Sequence, residues 1–173
     1  MPRWTLARLH ADHPVGSFTC GELDGAKEVD AYLRGSALHE QAQRLAAAWI
    51  IEDREAKEES ARIVGFFSLS PVSVRIAPHV LEANNLDVPY AQIGGWLLGR
   101  MGVATRHQGH NVGAALVAEA TRQARRFQDT TAGVFLVVDP KNDRLLAWYE
   151  ALEFGFRRAD PVNPKHRRLI LKL

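Results

Sequence analysis

Between Gly94 and Arg126 an apolar run, Trp96 to Val103, leads into a short basic loop bearing glycines and then into an amphipathic stretch. The loop reads Arg106-x-x-Gly109-x-Asn111-x-Gly113. Residues of these types in this order describe a phosphate-binding device. A strand delivers the chain to a tight turn whose N–H groups point outward, and the helix behind it adds unpaired N–H donors and the positive end of its dipole. A pyrophosphate fits such a cradle. Two familiar phosphate loops are excluded: there is no Gly-Lys-Ser/Thr for a nucleoside triphosphate, and the spacing is not Gly-x-Gly-x-x-Gly ahead of a βαβ unit.

Other reactive side chains divide between chemistry and packing. His107 and His110 stand three apart, as metal ligands can, but inside a basic loop imidazoles face phosphate more readily, and no metal is expected. Cys20 is the single cysteine, so it makes no internal disulfide and reads as a small buried residue. Arg100 lies midway along an apolar strand, a costly place for a charge unless it meets an anion, a cleft, or an internal acid such as Asp30. No side chain stands out as a general base; Glu22, His39 and Glu40 are either water-mediated helpers or solvated helix residues.

The elements that must position these groups follow from periodicity and turn residues. Two helices are expected between Gly21 and Leu45, the first carrying Val29, Tyr32 and Leu33 and ended by Gly35, the second capped by Ser36. Strands follow at 47–51 and 63–70, joined by the charged segment Glu52–Arg62, with Gly65 marking a bulge or a close backbone approach. Residues 71–95, rich in Pro and Asn, read as a long functional loop in which 72–76 could extend a strand. A strand at 96–103 precedes a helix at 113–128, with Leu116, Ala120, Ala124 and Phe127 on its apolar face and Glu119, Arg122, Gln123, Arg125 and Arg126 on the other. Strand 133–138, a helix capped by Asn142 or Asp143 and running through Leu152, and strands 154–157 and 167–171 complete the chain.

With 173 residues, 46% apolar and 24% charged, the sequence is expected to form one soluble domain spanning residues 1–173. It lacks a membrane-length apolar run, and Met1–Leu9 lacks a signal-peptide core, so a cytoplasmic protein is expected. The net charge of +2 hides an asymmetry: residues 1–60 hold 7 basic and 11 acidic side chains, residues 61–173 hold 15 and 9. The basic excess gathers at Arg100 and Arg106, at Arg122, Arg125 and Arg126, and in a tail with Arg157, Arg158, Lys165, Arg167, Arg168 and Lys172. A polyanion would favour that half; solvated helix faces and a charged edge strand are the plain alternative.

The loop Arg106-x-x-Gly109-x-Asn111-x-Gly113, set between the third strand of a β-β-β-α-β-α-β order and its helix, resembles the acyl-CoA pyrophosphate loop of the GNAT acetyltransferase superfamily, with the likeness running from residue 15 to 173. The segments Phe18–Asp24, Val29–Leu33, Ala37–Gln41, Gly65–Ser70 and Leu98–Val103 are similar to the acetyltransferase toxins of bacterial toxin–antitoxin pairs. The resemblance implies an α/β (α+β) GNAT fold: a mixed, mostly antiparallel sheet flanked by helices, its strands splayed at the cofactor site. It implies acetyl-CoA as cofactor, acetyl transfer to the α-amine of aminoacyl-tRNA as activity, and a homodimer masked by a ribbon-helix-helix antitoxin as the assembly.

Roles carry over residue by residue. Main-chain groups of Met101, Gly102 and Val103 would pair with the pantetheine arm as with an extra strand. Arg106, Gln108, Gly109, His110, Asn111, Val112, Gly113 and Ala114 would wrap the pyrophosphate, and Asn142 joins the cofactor-binding set. Asn111 stands where the family has Gly, and Asn tolerates positive φ best among residues with a side chain. Tyr149 matches the family's tyrosine, a general acid for the departing thiolate; by its own context it could equally be an aromatic packed with Trp148 and Phe154. The family's Gly-Phe four and five residues later is here Glu153-Phe154, with Gly155-Phe156 following. Arg100 would hold the tRNA end, and Arg157, Arg158, Lys165, Arg167 and Arg168 its backbone. The alternatives are an N-acetyltransferase of a small amine or a protein N-terminus, and a non-catalytic acyl-CoA-binding module.

Overall fold

Long β-branched and aromatic runs make the strands, and their order sets the frame. The computed structural model describes residues 4–23, 25–163 and 165–173; Asp24, the end of the Phe18–Asp24 motif, and the first three residues of the N-terminal segment lie outside them. Among the described residues seven strands are formed: β1 (Trp4–Arg8), β2 (Ala47–Asp53), β3 (Ile63–Arg75), β4 (Gln92–Val103), β5 (Phe135–Val138), β6 (Arg157–Arg158) and β7 (Leu169–Lys172). They run in the order β1-β2-β3-β4-β5-β7-β6. Pairing is antiparallel for β1/β2, β2/β3, β5/β7 and β6/β7 and parallel for β4/β5. The helices are α1 (Ala26–Ala31), α2 (Ala37–Ala42), α3 (Pro78–Ala83), α4 (Val112–Thr131) and α5 (Asp143–Ala151). The mixed, mostly antiparallel sheet with flanking helices is the expected fold class. The chain forms two compact units, Met1–Ser70 with Gly99–Ala120, and Pro71–Leu98 with Thr121–Leu173.

In the first unit, β2 is buried along Ala48–Ile51 and pairs with β1, a strand the sequence pattern did not show because its five residues, Trp-Thr-Leu-Ala-Arg, carry no continuous apolar signal. The helical break expected at Gly35 and Ser36 does not occur. A π-helical turn, Tyr32–Ser36, joins α1 to α2; the Ala37 N–H donates to the Tyr32 carbonyl, and Ser36 makes no side-chain cap. Leu33 within that turn and Ala37 just after it are both buried in one cluster with Leu9, Phe18, Ile50, Ile63 and Phe66, so packing outweighs the breaking tendency of glycine. Gly65 is a close-approach residue, as a Cβ there would lie 2.9 Å from the Gly102 carbonyl oxygen, and the β2/β3 register is irregular beside it, at Ile51/Glu52.

In the second unit, residues 71–95 are no loop. β3 runs on to Arg75, Pro78 opens α3, and β4 starts at Gln92. The reason is burial: Val74, Ile76, Val80, Leu81 and Ile93 meet Phe135, Val137, Ala159 and Ile170 in one core. The last strands are shorter than the apolar pattern indicated. Leu169, Ile170 and Leu171 are buried in β7, which lies between β5 and β6, so this apolar end of the chain completes the core. On α4, Gln123 is buried rather than placed with the charged face; it falls three residues after Ala120 and four before Phe127, on the apolar side.

Gly95 and Phe135 pair in register, and a Cβ at Gly95 would stand 2.5 Å from the Phe135 carbonyl oxygen, whereas one at Gly94 meets nothing within 4 Å. Gly95→Ala is therefore expected to lower the unfolding free energy by about 2 kcal/mol or more. Gly94→Ala should leave it within about 0.5 kcal/mol, both read by urea denaturation.

Candidate functional site

The candidate phosphate loop is built at the end of β4. Ala104 closes the strand by donating its N–H to Val64 O (2.9 Å), a 3-10 turn follows at Thr105–His107, and α4 begins at Val112. Two residues bend the loop through the left-handed region: Gly109 at φ +78° and Asn111 at φ +59°. Asn111 thus adopts the conformation its side chain tolerates and lets the loop close where the family carries glycine. Its carbonyl accepts from Ala115 N–H (3.1 Å), which opens the helix and leaves the N–H groups of Val112, Gly113 and Ala114 as first-turn donors without an acceptor inside α4. A Cβ at Gly109 would meet nothing within 4 Å, so this backbone faces open space.

Side chains of the loop serve mainly to hold it. The Gln108 amide donates to Cys20 O (2.8 Å) and Val103 O (3.1 Å), a staple between the 18–21 segment and the end of β4 that no sequence pattern signals. Arg106 donates to the Ser60 carbonyl, which places its guanidinium against the β2–β3 connection. His110 Nδ1 lies 2.9 Å from Gln108 O, and the His107 ring packs edge-on against Trp4 at 5.7 Å, away from the role of phosphate contact expected for it. Among the described residues no three His, Cys, Asp or Glu side chains group as a metal site. Cys20 is half-buried, and burial, then Asp30, pushes its thiol up to about 12, so it stays protonated and unreactive near neutrality.

β4 itself supplies the remaining groups of the first unit. Its ladder with β5 runs from Gly95 to Leu98, and the strand continues to Val103, which leaves the main chain of Gly99–Val103 beyond that pairing. Gly102 turns its α-carbon inward: a Cβ would lie 3.0 Å from Phe66 and from Val29. Any ligand contact there is through main-chain atoms. Arg100 is exposed, with Nη1 donating to Gly99 O (3.0 Å) and the guanidinium 5.6 Å from the centre of the Tyr32 ring. The internal partner considered for it is taken: Asp30 accepts from Cys20 N–H (2.9 Å) and pairs with Arg34 (3.6 Å).

In the second unit, Asn142 caps α5, its side chain accepting from Leu145 N–H (2.9 Å). In the last turn of that helix, Tyr149 is buried between Trp148 (4.8 Å) and Phe156 (5.5 Å). The second aromatic partner is Phe156 rather than Phe154 because Leu152 leaves the helix in an extended conformation and Gly155 turns at φ +88°. The displaced Gly-Phe pair thereby still delivers a phenyl ring to the tyrosine. Burial holds the Tyr149 phenol well above its ordinary value, and among the described residues its hydroxyl makes no hydrogen bond. A phenol so placed stays protonated, and therefore uncharged, throughout the neutral range.

The basic tail is less free than its composition indicates. Arg168 grips Asp139 with two bonds of 2.7 Å, Arg167 meets Asp143 at 2.8 Å, and Arg158 meets Glu150 at 2.9 Å. Arg157 and Lys165 are exposed and have no acidic partner among the described residues.

A profile of the acetyltransferase (GNAT) family matches residues 39–156. The chain belongs to the GNAT family. It is an acetyltransferase that uses acetyl-CoA to acylate an amine, and the left-handed pair Gly109 and Asn111, the open space at Gly109 and the first-turn donors of α4 suit the cofactor's pyrophosphate. Solved structures share this GNAT fold over nearly the whole chain. A tyrosine-to-phenylalanine mutant of KacT is 18% identical, with TM-score 0.82, over 99% of this chain and 95% of its own. AtaT complexed with acetyl-methionyl-tRNA is 21% identical, with TM-score 0.80, over 98% and 94%. AtaTR bound with acetyl-CoA is 22% identical, with TM-score 0.76, over 99% and 95%.

Because Asn111 must hold a positive φ, Asn111→Val is expected to weaken acetyl-CoA binding by about tenfold or more, while Asn111→Gly binds at least as tightly as the native chain; titration calorimetry distinguishes them.

Proposed function

We propose that this acetyltransferase acylates the α-amine of aminoacyl-tRNA and thereby acts as a toxin on translation. One observation carries the reading: a protein with this fold along almost its full length, AtaT, is complexed with acetyl-methionyl-tRNA. With 98% of this chain covered, the likeness extends well beyond residues 39–156, the span of the general family profile.

Acetyl-CoA supplies an acyl group on a thioester whose leaving sulfur needs a proton. Main-chain groups of Met101, Gly102 and Val103 hold the pantetheine arm along the part of β4 that continues beyond β5. The N–H groups from Gly109 to Ala114 hold the pyrophosphate, and the exposed His110 and Gln108 main chain borders it. Asn142 Nδ2 remains a donor after its oxygen has capped α5. Tyr149 donates the proton to sulfur; its raised pKa keeps it protonated wherever the acceptor is reactive. A dedicated base is unnecessary, since an α-amine titrates near about 7.7–8.0 and is partly neutral at physiological pH. Arg100 contacts the acceptor end, and Arg157 and Lys165 meet backbone phosphates, with Arg158, Arg167 and Arg168 contributing only as far as their acidic partners permit.

AtaT is also seen with the C-terminus of the antitoxin AtaR. A ribbon-helix-helix antitoxin and a homodimer belong to the same reading here. Among the described residues no helix is long and apolar enough to cross a membrane.

Purified protein given labelled acetyl-CoA and charged tRNA is expected to place acetyl on the aminoacyl group; acetyl found only on small amines or protein N-termini, or no turnover at all, overturns the reading. Tyr149→Phe keeps the aromatic packing and should cut kcat by roughly a hundredfold or more. With Tyr149 held above an ordinary phenol, kcat/KM should rise with pH through amine deprotonation and show no alkaline loss below about pH 10. Reversing both Arg157 and Lys165 to Glu should flatten the log–log salt dependence of tRNA binding by about one to two units.

A further inference from the structure

Arg100 is a cation with unused donors and a fixed seat. Among the described residues no carboxylate lies within ion-pair distance of it, and only Nη1 is committed, to Gly99 O at 3.0 Å. Its own N–H donates to the Ser68 hydroxyl (3.1 Å), which pins the backbone at that point of β4. The guanidinium rests over the face of Tyr32, 5.6 Å from the ring centre. That ring is not free to turn away. It stacks on the fully buried Phe66 at 6.4 Å with the planes 20° apart, and it sits at the first residue of the π-helical turn, the irregular point of the helical run from Ala26 to Ala42. The Tyr32 hydroxyl oxygen is buried; Ser68 and Glu40 lie close enough to perturb it without reaching hydrogen-bond geometry. The face of the ring therefore does the seating and the hydroxyl does not.

We infer that Tyr32 is a positioning residue for the acceptor: its ring holds the Arg100 guanidinium so that the remaining donors take an oxyanion carried by the amine-bearing substrate. A guanidinium is matched to a phosphate or carboxylate by its planar fork, and it is the weakly hydrated cation best suited to stacking on an aromatic face. The π turn is the device that makes this possible, because one extra residue in the turn brings an aromatic side chain to the level of Arg100 while Leu33 and Ala37 stay in the core. In the reading proposed above, on which this inference rests for the identity of the acceptor, the oxyanion is the phosphodiester next to the aminoacylated ribose.

The test uses the full chain saturated with coenzyme A and two amine ligands that differ by one group, a 3′-aminoacylamino-3′-deoxyadenosine and its 5′-phosphate, with binding read by titration calorimetry. The native protein should bind the phosphorylated ligand about tenfold more tightly. Tyr32→Leu should lose that preference while leaving binding of the unphosphorylated ligand and of coenzyme A within about twofold, and Tyr32→Phe should behave as the native protein. Arg100→Gln should lose the preference equally, and adding Tyr32→Leu to it should cost nothing more. Equal loss for both ligands, a loss for coenzyme A, a Tyr32→Phe as impaired as Tyr32→Leu, an additive double variant, or no preference in the native protein each overturns the inference. Should Tyr32→Leu fail to fold, Arg100→Gln and Tyr32→Phe still decide it. A protein that prefers the phosphorylated ligand but leaves charged tRNA unacetylated retains this inference and loses the tRNA reading.

Discussion

Backbone proximity along β4 is the constraint from which the rest of the structure follows. This strand carries Gly94, Gly95, Gly99 and Gly102, and two of them face a neighbour that a side chain would displace or crowd: the Phe135 main chain at Gly95, and Phe66, Val29 and Phe18 at Gly102. Gly65 adds a third contact of this kind, against the Gly102 carbonyl. Strands can approach this closely only where no Cβ intervenes. The consequence for function is that β4 offers main chain to a ligand, with few side chains in the way, and that the one charged side chain it does carry, Arg100, must find its support elsewhere. Tyr32 is that support.

Electrostatics is then a matter of which charges are already answered. The acidic side chains Asp139, Asp143 and Glu150 neutralise three of the tail arginines, and exposed pairs of this sort contribute little stability, so their main effect is to restrict where an anion can bind. Of the six basic residues expected to meet the substrate, Arg100, Arg157 and Lys165 are left without an acidic partner among the described residues. Tyr149 is the opposite case. Its environment is aromatic and dry, and desolvation raises the pKa of a phenol that is already neutral near pH 7.

Much of this was legible in the residues. The bend of the Arg106–Gly113 loop follows from residue type and order, since glycine, asparagine and a helix start have local conformational preferences that do not depend on distant contacts, and Asn111 turns at φ +59°. The cap at Asn142 is local in the same sense. The central strands were readable from their apolar runs. What escaped was set by partners remote in sequence. β1 exists because β2 offers an edge, residues 71–95 become strand and helix because Val74, Ile76, Val80 and Leu81 have a core to enter, and the helix persists through Gly35 because Leu33 and Ala37 are buried on either side.

The sequence by itself determined the family, the cofactor and the candidate proton donor, because these rest on short motifs whose geometry is local. Only the tertiary structure decided which charges are free, that Phe156 and not Phe154 covers Tyr149, that Asp30 belongs to Arg34 and Cys20, and that Arg100 is seated on Tyr32. Each of these is a choice among several chemically equivalent partners. Composition and spacing count such partners, but only the folded chain brings one of them within a few ångströms.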